Sequence, residues 1–210
     1  MKKISTHSGF TLLELVISFG VMSIVIFGVV STFMTSIRAN ASQIDQFIAY
    51  SLAQEGLEGV RNIRDTYFRQ ALNWNGVDNA LDLVDAPFLP GTYLISRKTP
   101  SQIGTVVPFN ASSHEGVKKA MPWRFDVLGG ASGASAVLYR VTDNGVTYYM
   151  NQFSGDVPTA AVASPFSRVV KLSVDGDRMT VIATVTWKSF GSDKKIDLVT
   201  EFTNWKQRPY

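Results

Sequence analysis

The stretch ELVISFGVMSIVIFGVVSTFMTSIR, Glu14–Arg38, decides what the N-terminal part of this chain is. Between its two charged ends, Leu15 to Ile37 make 23 residues without a charge. As a helix rising about 1.5 Å per residue, that run is roughly 35 Å long, enough to cross a hydrocarbon core of about 30 Å with some tilt. A helix in the core of a globular domain is normally shorter and apolar on one stripe only. Lys2 and Lys3 precede the run. Positive charge is retained on the cytoplasmic side, so the expected orientation is N-terminus in and C-terminus out.

The remaining composition suits one anchor and one modest domain. The chain has 210 residues, 45% of them hydrophobic, and no second apolar stretch long enough to span. The net charge of +3 is scattered, without a dense Lys/Arg block, so no nucleic-acid partner is expected. Loss of the first nine residues would leave +1. Cysteine is absent, which removes disulfides and thiolate metal sites.

Two kinds of processing compete for the N-terminus. An ordinary secretory signal has an apolar region of about 7 to 15 residues and a small-residue cleavage site. Ala39, Asn40 and Ala41 form such a site, with cleavage before Ser42, but the apolar run is too long and Arg38 is misplaced. The second reading starts upstream, at KKISTHSGFTLLE, Lys2–Glu14. A short basic leader ends in Gly9; Phe10, Thr11, Leu12, Leu13 and Glu14 follow, and then the apolar run.

That arrangement resembles the start of type IV prepilins and the related pseudopilins. The resemblance covers about the first forty residues and implies a great deal. It implies cleavage by a membrane-embedded prepilin peptidase between Gly9 and Phe10, and N-methylation of Phe10 by the same peptidase/methyltransferase. It implies assembly with other pilin subunits at an inner-membrane platform, with Glu14, fifth in the mature chain, setting the register. No cofactor is implied.

The physics of Glu14 is independent of the name. A charged side chain at membrane depth costs roughly 2.5–3.5 kcal/mol at a helix centre, less near an end. Cleavage after Gly9 would create a cationic amine on Phe10, about one turn from Glu14. The positive end of the helix dipole also favours a carboxylate there. Pairing Glu14 with the amine of a neighbouring subunit turns burial into a register device, since misalignment leaves both charges unpaired. The plainer alternative is an interfacial glutamate that snorkels to water.

Beyond the run the helix is expected to continue to about residue 70. Ala49, Leu52, Ala53, Gly56, Leu57, Val60, Ile63 and Tyr67 recur at helical spacing, flanked by Gln54, Glu55, Glu58, Arg61 and Arg64. The domain plan is therefore a leader over 1–9, a membrane or filament-core helix over 10–37, its amphipathic continuation over 38–70, and a β-rich head over 71–210. Gly56 and Gly59 are expected to bring the helix close to a sheet, each weakening the helix by roughly 1 kcal/mol relative to alanine. SLAQEGLEGVRNIRD, Ser51–Asp65, is similar to a block in minor pilins of the PilV type. Many pilins kink this helix with a proline; here Phe10 to Ala86 contains none, and Gly20 and Gly28 are the breakers within the run.

From residue 71 the pattern changes to loop and strand. Asn73 to Pro90 reads as a connecting loop. Strands are predicted at Tyr93–Arg97, Trp123–Leu128, Ala136–Thr142, Val146–Met150, Arg168–Val174, Met179–Lys188 and Ile196–Trp205. Asp143-Asn144-Gly145 and Asp175-Gly176 are hairpin turns. Met179, Val181, Ala183, Val185 and Trp187 alternate with Thr180, Ile182, Thr184 and Thr186, giving that strand one drier face. Gly129–Ser135 is a low-complexity loop. The fold class is α+β, one long helix packed on an antiparallel sheet; the pilin-like version of it is what the resemblance implies.

The catalytic inventory is short. His7 falls in the leader and His114 in a Ser-rich loop, so neither a catalytic nor a metal site is expected. Asp175 and Asp177 suit a hairpin better than a calcium turn. Trp123, Tyr148, Tyr149, Trp187 and Trp205 fall at strand spacing, as core and cross-strand residues rather than a sugar platform. Three functions stay open: a non-enzymatic filament subunit, a minor pilin or pseudopilin of a pilus, type II secretion or DNA-uptake filament; a single-pass anchored adhesion protein that does not polymerise; and an exported enzyme.

Overall fold

The computed structural model describes residue 9 and residues 11–69, 73–74, 88–98, 121–129, 135–143, 145–152 and 161–204. They form one helix, α1 (Leu12–Arg69), and seven strands: β1 (Gly91–Arg97), β2 (Trp123–Val127), β3 (Ser135–Asp143), β4 (Val146–Gln152), β5 (Val162–Asp175), β6 (Arg178–Ser189) and β7 (Ser192–Thr203). The expected α+β layout, a long N-terminal helix followed by an antiparallel sheet, is therefore present. The chain divides into two compact units, Met1–Asp45 and Gln46–Tyr210, with α1 contributing to both.

In the first unit α1 is uncharged and exposed from Leu15 to Ile37. Its most apolar window has a mean hydropathy of 2.4, and by length and composition the helix can cross a membrane. It passes unbroken through Gly20 and Gly28, as a run without proline should. Four hydroxyls inside the apolar stretch are turned back onto the helix. Ser18, Ser23, Thr32 and Thr35 each donate to the carbonyl four residues back, at 2.8–2.9 Å. Such back-bonding satisfies side chains that hydrocarbon would leave without a partner.

The second unit is built on β5. One edge of β5 pairs with β6 from Phe166 to Asp175, and β6 pairs in turn with β7. The opposite edge is shared end to end by two hairpins. β1 takes the stretch Val170–Leu172, while β3 takes Val162 to Ser167. Asn151 of β4 closes the gap between the hairpins: its backbone N–H donates to the Ser96 hydroxyl at 3.0 Å, and its amide donates to the carbonyls of Ser135 and Ala136.

All seven predicted strands exist, with shifted ends. β5 begins six residues before the predicted Arg168, because Pro165 sits where its pairing with β3 changes register and where β6 has not yet begun to pair. That is a position where a missing N–H costs nothing in the ladder. β7 begins at Ser192 rather than Ile196, after a turn the residues had not suggested: Phe190 (φ 48°) and Gly191 (φ 79°) lie between paired Ser189 and Ser192. A bulky residue in the left-handed region costs about 1–3 kcal/mol. Gly145 (φ 79°) and Gly176 (φ 54°) stand in the two predicted turns, at positions that favour glycine. Most of the predicted loop between Asn73 and Pro90, Asn144 and most of the Gly/Ser-rich loop fall outside the described residues.

The core lies between the second half of α1 and one face of the sheet. Ala49, Leu52, Ala53, Val60, Ile63 and Tyr67 are buried there, as predicted, against Val170, Leu172 and the inward residues of β6, Met179 to Trp187. Tyr67, Phe88, Phe125 and Tyr93 continue as a chain of aromatic contacts, with centroids 4.4–6.0 Å apart. Burial pushes the Tyr93 phenol above its ordinary pKa, against the smaller pull of its 2.7 Å bond to the Leu89 carbonyl. Two helix residues depart from expectation. Leu57 is only half-buried, whereas Arg64, expected on the polar flank, is buried with its guanidinium 4.5 Å from the centre of the Phe202 ring. A cation over a ring face retains an electrostatic partner while its stem packs.

Gly59 shows why the helix needs glycine on this face. A β-carbon there would stand 2.6 Å from Ile95 Cδ1 and 2.9 Å from the Trp123 ring. Gly59→Leu is therefore expected to destabilise the second unit by about 3 kcal/mol through overpacking. An unchanged urea midpoint would show that the helix stands further from β1 and β2 than described.

Candidate functional site at the start of the helix

Thr11 starts α1. Its hydroxyl accepts a hydrogen bond from the Glu14 backbone N–H at 3.3 Å, and its carbonyl accepts from the Leu15 N–H at 3.2 Å. Thr11 is thus the N-cap and Glu14 the third helical residue, in the first turn. Thr-x-x-Glu is the spacing of a capping box, a signal present in the letters that the sequence reading passed over. Glu14 is exposed, with the dipole of α1 behind it and only apolar or hydroxyl side chains along the following stretch to Ile37. Leu12, Leu13, Leu15 and Val16 around it are all more than half exposed.

Gly9 is exposed, and Phe10 lies outside the described residues. In sequence Gly9 and Phe10 thus precede the N-cap of a long apolar helix, and Glu14 lies in its first turn. Chemically, the arrangement offers a carboxylate at a helix N-terminus that can meet a cation, and a chain preceding the helix.

A second organised group escaped the sequence reading. Arg168 of β5 is fully buried. Its Nη1 donates to the Leu52 carbonyl at 2.9 Å and to Glu55 Oε2 at 3.0 Å, and its Nη2 donates to the Ile95 carbonyl at 2.7 Å. One guanidinium so joins α1, β5 and β1. Gly56 makes the room: a β-carbon there would approach Arg168 Cδ to 3.3 Å. The signal was available in the phase of Phe166, Arg168, Val170 and Leu172, all inward-facing, with a cation where an apolar residue belongs.

The other candidates take structural places. Asp175 and Asp177 flank the tight β5–β6 turn, where the Asp177 carboxylate accepts from the Asn204 amide at 3.2 Å. Among the described residues no group of three or more His, Asp or Glu gathers as metal ligands. Trp187 belongs to the core, and Trp123 and Tyr149 pack against it; Tyr148 is half-buried on β4. His7, His114 and Trp205 lie outside the described residues. Comparison with family models, curated proteins and solved structures gave no match.

Proposed function

We propose that this chain is a filament subunit of the type IV pilin class, a minor pilin or pseudopilin, held in the cytoplasmic membrane by α1 until it assembles. The observation that carries the reading is the register of Gly9, Phe10 and Glu14 against the uncharged run Leu15–Ile37. Prepilin peptidase cuts between Gly9 and Phe10 and methylates Phe10, and the amine so formed on one subunit meets Glu14 of the next. The described structure supports the reading at the coarser level. An apolar helix with inward-bonded hydroxyls suits a membrane and later a helical bundle, and a helix packed on an antiparallel sheet is the layout that the pilin resemblance implies.

Co-expression with and without a prepilin peptidase tests processing. The wild-type chain is expected to lose its first nine residues only when the peptidase is present, while Gly9→Val stays full length in the membrane fraction. Peptidase-independent shortening, or efficient cutting of Gly9→Val, contradicts the proposal. Full membrane retention with no processing at all favours the anchored adhesion protein that does not polymerise.

A further inference from the structure

The β6–β7 hairpin turns at Phe190 and Gly191. Phe190 occupies a left-handed position that favours Asn, Asp or Gly, and its ring is 65% exposed. Around it stand Lys188, Lys194 and Lys195, all exposed, with Asp193 as the acid within the tip. Lys188 and Asp193 are 3.8 Å apart, a distance at which two exposed side chains gain little. Lys195 is held at 2.7 Å by Asp197, whose carboxyl lies below its ordinary pKa because Lys195 and then Thr184 donate to it. Lys188 and Lys194 are thus the cations with least local compensation. Beside the tip is a groove of about 560 Å³, lined by the same three lysines together with Asp193, by Ser164, Ser167 and Thr186, and by Trp187 and other apolar side chains.

The position of the tip within the second unit follows from packing. Phe202, paired with Met179, lies under Arg64 of α1, while Arg168, paired with Val185, reaches Leu52. Moving along β6 from Met179 to Val185 therefore means moving along α1 towards lower residue numbers. Phe190 lies five residues further in the same direction, at the end of the unit where α1 enters at Gln46. From Ile37, the last residue of the apolar run, to Gln46 the chain can span at most about 30 Å in any conformation. A membrane holding that run therefore tethers the unit through this end.

We propose that the β6–β7 hairpin docks on the anionic lipid headgroups of the membrane that anchors the chain. Phe190 enters the interface, Lys188 and Lys194 meet lipid phosphates, and the adjoining groove receives a headgroup. An exposed apolar ring with flanking lysines is a common interfacial pairing. The contact rests on the anchoring part of the proposed function, because the tether supplies the high local concentration that so small a surface requires. It gives the unassembled subunit a fixed posture on the membrane, which must be released on entry into a filament.

The absence of cysteine allows single labels without background. The full chain carrying Ser192→Cys with an environment-sensitive fluorophore is placed in nanodiscs of phosphatidylcholine, or of phosphatidylcholine mixed with phosphatidylglycerol. A label at Ser23→Cys monitors the anchor. The expected result is an apolar signal at residue 23 in both discs and a blue shift at residue 192 only with phosphatidylglycerol. High salt or Phe190→Ser is expected to abolish that shift, and Lys188→Ser and Lys194→Ser each to lower the bound fraction relative to free about fivefold. An apolar residue 23 with residue 192 indifferent to lipid charge overturns the docking alone. A shift at residue 192 that depends on two copies per disc assigns the tip to a second subunit and overturns it as well. A water-exposed residue 23 overturns the anchoring and the docking together.

Discussion

Arg168→Ala is expected to destabilise the sheet-bearing unit by about 3–5 kcal/mol, a large share of the roughly 5–15 kcal/mol that holds a typical domain. The cost has two kinds of source. The Glu55 carboxylate and the Leu52 and Ile95 carbonyls lose their cationic donor, and a cavity opens beneath Gly56. A burial argument based on area alone would predict the opposite, since the substitution removes a charge from the core. The double variant Arg168→Met, Glu55→Gln separates the two accounts. Replacing a buried ion pair by neutral groups of similar size is often close to neutral, so the double variant is expected to recover most of the loss. Urea unfolding of the full chain in detergent, followed by tryptophan fluorescence, measures both. A loss below about 1 kcal/mol for Arg168→Ala would remove the link between α1, β5 and β1 from the account.

Glu14→Ala has the largest expected effect on assembly. If the carboxylate compensates the Phe10 amine of a neighbour inside an apolar bundle, its removal leaves a buried cation alone, at about 3–5 kcal/mol per contact. Incorporation into filaments is then expected to fall by roughly two to four orders of magnitude. The capping geometry supplies the control. Thr11→Ala removes the hydroxyl that accepts the Glu14 N–H but keeps the charge, and a lost N-cap costs about 1 kcal/mol. Thr11→Ala should therefore assemble nearly normally. Equal losses for the two variants would mean that Glu14 acts only as part of a helix start.

How much of this was legible in the residues varies with the physics involved. The helix was readable because twenty-three uncharged residues followed by a proline-free amphipathic stripe leave few other structures open. The close approach at Gly59 was readable because glycine in a helix face has a cost that needs a reason. Strand positions followed from alternation, but strand ends did not. β5 extends back past Pro165, which faces no partner on β6, and Phe190, left between two predicted strands, turns the chain. Strand order was open, because the division of one β5 edge between two hairpins depends on contacts far apart in sequence. Arg168 and Arg64 were missed for a related reason. A cation is assigned to solvent by type, and only the arrangement of Glu55, Leu52, Ile95 and Phe202 supplies the partners that permit burial.

Glu14 was noticed for its charge, while the Thr11 hydroxyl three residues before it was overlooked. Both belong to one helix start, and under the proposed function their roles diverge once the chain is processed. Mass spectrometry of the mature N-terminus, on protein purified from membranes of cells that make the filament, tests that processing most directly. The predicted result is a chain beginning at Phe10 and heavier by one methyl group on its amine. A chain beginning at Met1 or at Ser42 would contradict the account, since neither leaves an amine where Glu14 can meet it.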